Sequence, residues 1–97
     1  IPNLESKEQK QGFFQGAVAS LGNLYIYPEK TVMRIETRNL RLIDSLKKLS
    51  EELGFTPSVG KGGTKLDYSK SNVIKMARNK IFINPYHINE LRLHNFL

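Results

Sequence analysis

The chain contains no cysteine and no long hydrophobic run. Without cysteine there is no disulfide, no thiolate zinc site and no cysteine nucleophile. The same absence is typical of a reducing compartment, so we expect an intracellular protein, in the cytoplasm or nucleoid or in an organelle. A transmembrane helix needs about 20 consecutive apolar residues. No segment approaches that length, and we therefore expect no membrane association.

Acidic residues are scarce relative to basic ones. The 97 residues include 9 acids against 15 lysines and arginines, which gives a net charge of +6. A small domain this basic makes a polyanion the first partner to consider, although solubilising surface charge is the alternative. A 39% apolar and 25% charged composition is typical of globular proteins and argues against disorder. The length predicts a single domain over 1–97, with a possible N-terminal extension at 1–5.

Few residues could support metal or catalytic chemistry. The two histidines, His87 and His94, are seven residues apart in the last predicted helix, whereas a zinc pair on a helix favours a spacing of three or four. The Gly-Lys-Gly-Gly stretch at 60–63 lacks the spacing of a phosphate-binding loop and precedes no predicted helix. Asp44 and Asp67 have no evident partner, so we interpret both as solvated surface acids. We therefore predict no metal site and no cofactor.

The predicted order of elements is helix, strand, strand, helix, strand, strand, helix. The first helix begins at Ser6, which has capping-box spacing to Gln9, and runs to about Leu21. It ends at Gly22 and Asn23, which both tolerate the left-handed conformation. The later elements are strands at 24–27 and 31–37, a helix at 40–53 capped by Asn39, strands at 55–59 and 71–78, and a helix opened by Asn84 and Pro85. We predict an α+β fold, an αββαββα domain whose four-stranded antiparallel sheet has its helices on one face.

Small residues recur along the first helix. Gly12, Gly16 and Ser20 are spaced by four residues, although a glycine inside a helix costs about 1 kcal/mol relative to alanine. Because missing side chains let another backbone approach closely, we predict contact with another helix through this side. The alternative is that the two glycines pack against the sheet of their own domain. At least one of Phe13 and Phe14 should anchor the core.

Basic residues and tyrosines lie on or beside the predicted strands. Tyr25 and Tyr27 share one face of the first strand, and Arg34 and Glu36 share the polar face of the second. A two-stranded ribbon fits a B-form major groove, where lysines reach phosphates and arginines reach guanine edges. We therefore predict a DNA-binding face rather than a merely solvated one. Its residues are Tyr25, Tyr27, Lys30, Arg34, Glu36, Arg38, Lys61, Lys65, Lys70, Lys75 and Arg78.

The segment 14–22, FQGAVASLG, followed by NLYI at 23–26, resembles a degenerate form of the LAGLIDADG motif of homing endonucleases. The predicted element order is similar to that of the family over roughly 7–97, and 39–55 is similar to its second helix. The resemblance implies that two motif helices pack across a two-fold axis, in a homodimer or beside another similar domain, and that the sheets form a saddle over DNA. The implied dimer interface contains Gly12, Phe13, Gly16, Ala19 and Ser20.

The chain departs from the family at the catalytic positions. The metal-binding carboxylate of the motif falls on Leu21, and the earlier aspartate falls on Ala19. Leucine offers no oxygen ligand for a divalent cation, and two-metal cleavage of a phosphodiester needs such carboxylates. The resemblance thus implies a non-catalytic double-stranded DNA-binding domain, such as a regulator. The alternatives are a Mg-dependent endonuclease whose acid is supplied elsewhere, an RNA-binding intron-splicing helper, and a protein-interaction module.

Overall fold

The computed structural model describes residues 6–97, so the predicted extension at 1–5 lies outside the described residues. These described residues form four helices and four strands. The bounds are α1 Lys7–Leu21, β1 Gly22–Ile26, β2 Thr31–Glu36, α2 Leu40–Glu52, β3 Ser58–Val59, β4 Lys65–Ser69, α3 Lys70–Arg78 and α4 Pro85–Leu93. The domain is therefore α+β, as predicted, with one helix more than expected.

Helix α1 begins where the capping residues predict. The backbone N of Gln9 donates to Oγ of Ser6 over 3.0 Å, and the backbone N of Ser6 donates to Oε1 of Gln9 over 3.2 Å. Phe14 and Val18 are fully buried, so one of the two adjacent phenylalanines does anchor the core. Gly22 ends the helix in an extended conformation with φ of −81°, not in the expected left-handed one. The chain can therefore pass directly from α1 into β1.

The four strands form an antiparallel sheet in the order β1-β2-β4-β3. Alternate side chains of the two central strands, Met33 and Ile35 of β2 and Leu66 and Tyr68 of β4, are fully buried. They join one core cluster with side chains from all four helices. The helices thus cover one face of the sheet, as predicted, and no helix formed by residues 6–97 covers the other face.

The second half of the chain differs from the prediction. Residues 71–78, expected as a strand, belong to helix α3, and the fourth strand lies earlier, at Lys65–Ser69. Val73, Met76 and Ala77 recur at helical spacing and are buried against the sheet. Strand β3 is only two residues long, because Pro57, just before it, has no N–H to donate to a ladder.

The remaining two helices follow their predicted caps. Asn39 accepts from the backbone N of Leu42 over 3.1 Å at the start of α2, and Asn84 accepts from the backbone N of Tyr86 over 2.9 Å at the start of α4. Gly54 follows α2 with φ of +94°, the left-handed conformation that glycine adopts without strain. These caps fix where both helices meet the sheet.

Candidate nucleic-acid interface

The helix-free face of the sheet carries polar and aromatic side chains, and we call it the outer face. It is defined by the strand residues that alternate with the buried ones. Those residues are Asn23 and Tyr25 on β1, Val32, Arg34 and Glu36 on β2, Ser58 on β3, and Lys65, Asp67 and Ser69 on β4. Each of them is partly or fully exposed to solvent. The outer face can therefore contact a partner without any rearrangement of the core.

An ion pair occupies the centre of the outer face. The register of β2 and β4 sets Arg34 directly opposite Asp67. Nε of Arg34 donates to Oδ1 over 2.7 Å and Nη2 donates to Oδ2 over 3.1 Å, which is a bidentate, charge-assisted contact. The hydrogen bond and the charge of Asp67 raise the pKa of Arg34 above its usual value. Asp67 is thus a partner of a predicted site residue, and its interpretation as a solvated surface acid was wrong.

Two tyrosines extend this central pair toward the first hairpin turn. The rings of Tyr25 and Tyr27 stack with centroids 6.4 Å apart, and the guanidinium of Arg34 lies 5.9 Å from the Tyr25 centroid. Tyr25 is 37% exposed and Tyr27 is 58% exposed. The guanidinium therefore has an aromatic neighbour on one side and solvent access on another.

Basic residues mark both ends of the outer face. In an antiparallel sheet of this order, the β1–β2 turn and the β3–β4 turn lie at opposite ends. Lys30 and Lys70 line a groove of about 360 Å³ at the first end. Arg38 and Lys61 lie at the other end, where the backbone N of Thr37 donates to the carbonyl of Thr64 in the second turn over 3.0 Å. At about 3.3 Å per residue, the eight steps along the chain from Lys30 to Arg38 span about 26 Å.

These four cations are unpaired, as are six cations away from the outer face among residues 6–97, namely Lys7, Arg41, Lys75, Arg78, Lys80 and Arg92. Among residues 6–97, no carboxylate lies within ion-pairing distance of Lys30, Arg38, Lys61 or Lys70, whereas Lys10, Lys47 and Lys48 are each paired with an acid. Lys65, the remaining predicted lysine of the second hairpin, lies within β4 with Nζ 3.9 Å from Glu36. The ends of the outer face therefore keep uncompensated positive charge, while its middle is largely neutralised.

Two predicted site residues lie elsewhere. Lys75 and Arg78 were expected on a strand, but they belong to α3 and project from the side opposite its buried residues. Because α3 packs on the inner face of the sheet, neither residue belongs to the outer face. The expectation that they contact DNA beside the strand residues had relied on the wrong element.

One side of α1 is open. Apart from the adjacent backbone of α1, a Cβ placed on Gly12 or Gly16 would meet no atom of residues 6–97 within 4 Å, so these glycines do not pack against their own sheet and that alternative is excluded. Ser20 is exposed, with its Oγ donating to the carbonyl of Gly16 over 2.8 Å. Phe13 and Ala19 are only partly exposed and border this stripe. We call Gly12, Gly16 and Ser20 the open stripe.

The adjacent side of α1 is fixed by hydrogen bonds to the connection between α3 and α4. Nε2 of Gln11 and Nε2 of Gln15 donate to the carbonyls of Asn79 and Lys80 over 3.1 and 2.9 Å. Nδ2 of Asn84 donates to the carbonyl of Ala19 over 3.0 Å. The connection thus lies beside the open stripe and leaves it uncovered.

The described residues contain no group of three or more His, Cys, Asp or Glu side chains that could hold a metal ion. At the positions where the motif carries acids, Ala19 and Leu21 offer no side-chain oxygen. Within the same part of the chain, every helix is too short or too polar to cross a bilayer. Comparison of the chain with known protein families, curated proteins and solved structures gives no significant match.

Proposed function

We propose that this domain binds double-stranded DNA through the outer face and does not cleave it. The observation that carries the proposal is the distribution of charge along a helix-free sheet. Among residues 6–97, Lys30 and Lys70 lie unpaired at one end, Arg38 and Lys61 lie unpaired at the other, and Arg34 lies between them. Phosphate contacts position a protein on a duplex, whereas groups in the middle of a docked element reach base edges. The outer face combines both kinds of group.

We infer that the scaffold is a degenerate LAGLIDADG fold. The order of the first six elements, helix, hairpin, helix and second hairpin, supports this inference, because it is the order that the motif at 14–22 implies. The lack of cleavage follows from Leu21, whose side chain cannot replace a metal-binding carboxylate. A regulator needs only to bind DNA, so the absence of cleavage is compatible with a regulatory role.

We further propose that two copies pair through α1. The open stripe supports pairing, since glycines at Gly12 and Gly16 are costly in a helix unless another backbone approaches them. One domain measures 36 × 31 × 20 Å, and the repeat of B-form DNA is about 34 Å. Two copies side by side would then cover two half-sites about one helical turn apart.

A duplex-binding titration at several salt concentrations tests the DNA-binding proposal. If the four end cations each replace a counterion on one half-site, the log–log slope of affinity against salt should be about −4 per protomer, since each phosphate contact contributes about −0.9. A slope near zero would contradict the phosphate-contact model. Stronger competition by structured RNA than by duplex DNA would favour the splicing-helper alternative.

Incubation with supercoiled plasmid and Mg²⁺ tests the absence of cleavage. We expect the plasmid to remain supercoiled, because neither motif position supplies an oxygen ligand. Nicking that EDTA abolishes, and that persists after further purification, would show that an acid outside the motif completes a nuclease site.

A further inference from the structure

The guanidinium of Arg34 is held along one edge only. Asp67 accepts from Nε and from one N–H of Nη2. An arginine side chain has five N–H groups, so three remain: both on Nη1 and the second on Nη2. Nη1 makes no hydrogen bond with any residue in 6–97. The end of the guanidinium, formed by Nη1 and Nη2, is therefore free to donate two parallel hydrogen bonds.

The contacts around Arg34 fix the direction of that free end. Asp67 lies in the central strand β4, and the Tyr25 ring lies 5.9 Å from the guanidinium carbon. The side chains of Arg34 and Asp67 remain 32% and 29% exposed. Arg34 also lines a shallow groove of about 250 Å³ together with Tyr27 and Lys30. The guanidinium is thus held in place but accessible from the outer face.

We propose that Arg34 reads a guanine in the major groove and that Asp67 is the residue that positions it. This inference rests on the proposed function, because it needs a duplex on the outer face. Guanine presents O6 and N7 as paired acceptors in the major groove, and an arginine that donates end-on matches both. Since Asp67 already holds the side chain, little conformational freedom is lost when the base binds.

The charge of the pair favours a base over a phosphate as the ligand. The carboxylate of Asp67 offsets the positive charge of Arg34 and repels a phosphate brought close to it. A base edge carries no net charge, so it keeps the hydrogen bonds without that repulsion. Lys30, Arg38, Lys61 and Lys70 have no such acidic neighbour within ion-pairing distance among the described residues, which suits them to phosphates instead.

Selection of duplexes from a randomised library, followed by affinity measurements, tests the proposal. We expect wild type to select duplexes with a fixed guanine and to lose about 2- to 12-fold in affinity when 7-deazaguanine replaces it, because 7-deazaguanine lacks N7, one of the two acceptors of the pair. Arg34→Gln removes the guanidinium and its paired donors, and a glutamine amide matches adenine rather than guanine. This variant should lose affinity for the selected duplex and become insensitive to 7-deazaguanine.

Two further variants separate positioning from charge. Asp67→Asn should reduce the ratio of specific to non-specific affinity while it raises non-specific affinity, because one negative charge is removed and the guanidinium is held less firmly. Arg38→Gln is the matched control, and it should retain the guanine preference. The 7-deazaguanine measurement uses wild-type protein alone and so does not depend on the folding of any variant.

Each outcome separates this inference from the proposed function. If wild type binds duplexes without selecting guanine, or if Arg34→Gln retains the guanine preference, the reading of a base by Arg34 is overturned while DNA binding stands. If wild type binds no duplex at moderate salt, the proposed function itself fails.

Discussion

Gly22 lies where α1 ends and β1 begins, and the space around its Cα is filled. A Cβ there would lie 2.5 Å from the carbonyl oxygen of Val18 and 3.2 Å from Sδ of Met33. Gly22→Ala should therefore lower the free energy of unfolding by about 1–3 kcal/mol, the usual range for overpacking. Urea denaturation measures the change. Gly12→Ala, in open space within one chain, is the control and should not lower the free energy of unfolding of the monomer; equal stability of wild type and Gly22→Ala would contradict the close contact.

His87 is a buried, neutral histidine at the same junction. It is 5% exposed, its Nε2 lies 3.2 Å from the carbonyl oxygen of Gly22, and its Nδ1 has no hydrogen-bond partner among the described residues. Burial lowers the pKa of His87 below its usual value, and the contact with Gly22 opposes this only partly. The imidazole therefore binds a proton more readily in the unfolded chain than in the folded one.

The sign of the pH effect follows from that difference. The contribution of His87 to stability is complete above about pH 6.5 and is lost as the pH falls below it, by at most about 1.4 kcal/mol per pH unit. We expect wild type to lose stability between pH 6.5 and 5, and His87→Gln, which keeps a donor for Gly22, to lose less. Thermal denaturation at several pH values across this range measures the loss of stability of each protein, with His94→Gln as the control. Identical pH profiles for wild type and His87→Gln would contradict the assignment.

Sequence reasoning identified Arg34 but not its partner. Asp67 alternates with buried Leu66 and Tyr68, and this short pattern could have indicated a strand at 65–69. The identity of the partner of Arg34 depends on which strands are adjacent and on their register, and the local sequence determines neither. Asp67 is therefore recognised as the partner of Arg34 only from the pairing of strands that are distant in sequence, and not from residue spacing within one strand.

At the scale of elements, the exposed side of α1 carries two glycines, Gly12 and Gly16, that no packing within residues 6–97 explains. Gly16→Leu adds a good helix former in open space, so the free energy of unfolding of the monomer should hold or rise by up to about 1 kcal/mol. The same side chain would prevent two α1 helices from approaching closely. We expect sedimentation to show monomers for this variant and dimers for wild type.

The control for this prediction places a leucine on a different helix. Lys48→Leu alters the exposed side of α2, where Lys48 pairs with Asp44, and should leave dimerisation intact. A Gly16→Leu protein that dimerises as tightly as wild type would exclude α1 as the interface. A wild type that is monomeric at all concentrations would exclude the dimer itself.

The elements that sequence predicted well have strong end signals. Ser6, Asn39 and Asn84 cap their helices as expected, because capping depends on side chains within three residues. The elements at 65–78 lack such signals. Ser69 makes no side-chain cap hydrogen bond, and the adjacent Val73 and Ile74 suit strands as well as helices. The packing of Val73 against the sheet favours the helix over a strand for this segment.

At the scale of the whole molecule, the proposed function depends on where charge is free rather than on the net charge of +6. Position along the strands predicted the central residues of the outer face and three of the four cations at its ends, whereas Lys70 was expected beside a strand at 71–78 and is instead the first residue of α3. The same reasoning failed for Lys75 and Arg78, because a helix rotates side chains by about 100° per residue and carries them off a line that a strand would keep. The error in one element therefore moved two residues out of the predicted site.

Removal of equal charge from different places tests this distribution. Lys30→Gln with Lys70→Gln removes the cations at one end of the outer face, and Lys47→Gln with Lys48→Gln removes two from α2. Both pairs lower the net charge by 2. If the end cations contact phosphates, the first double variant should flatten the salt dependence of duplex affinity by about 2 per protomer in log–log slope, and the second should leave it nearly unchanged. Equal effects of the two variants would mean that DNA responds to the overall charge of the domain and not to the outer face, since a bound surface must be more sensitive than a remote one.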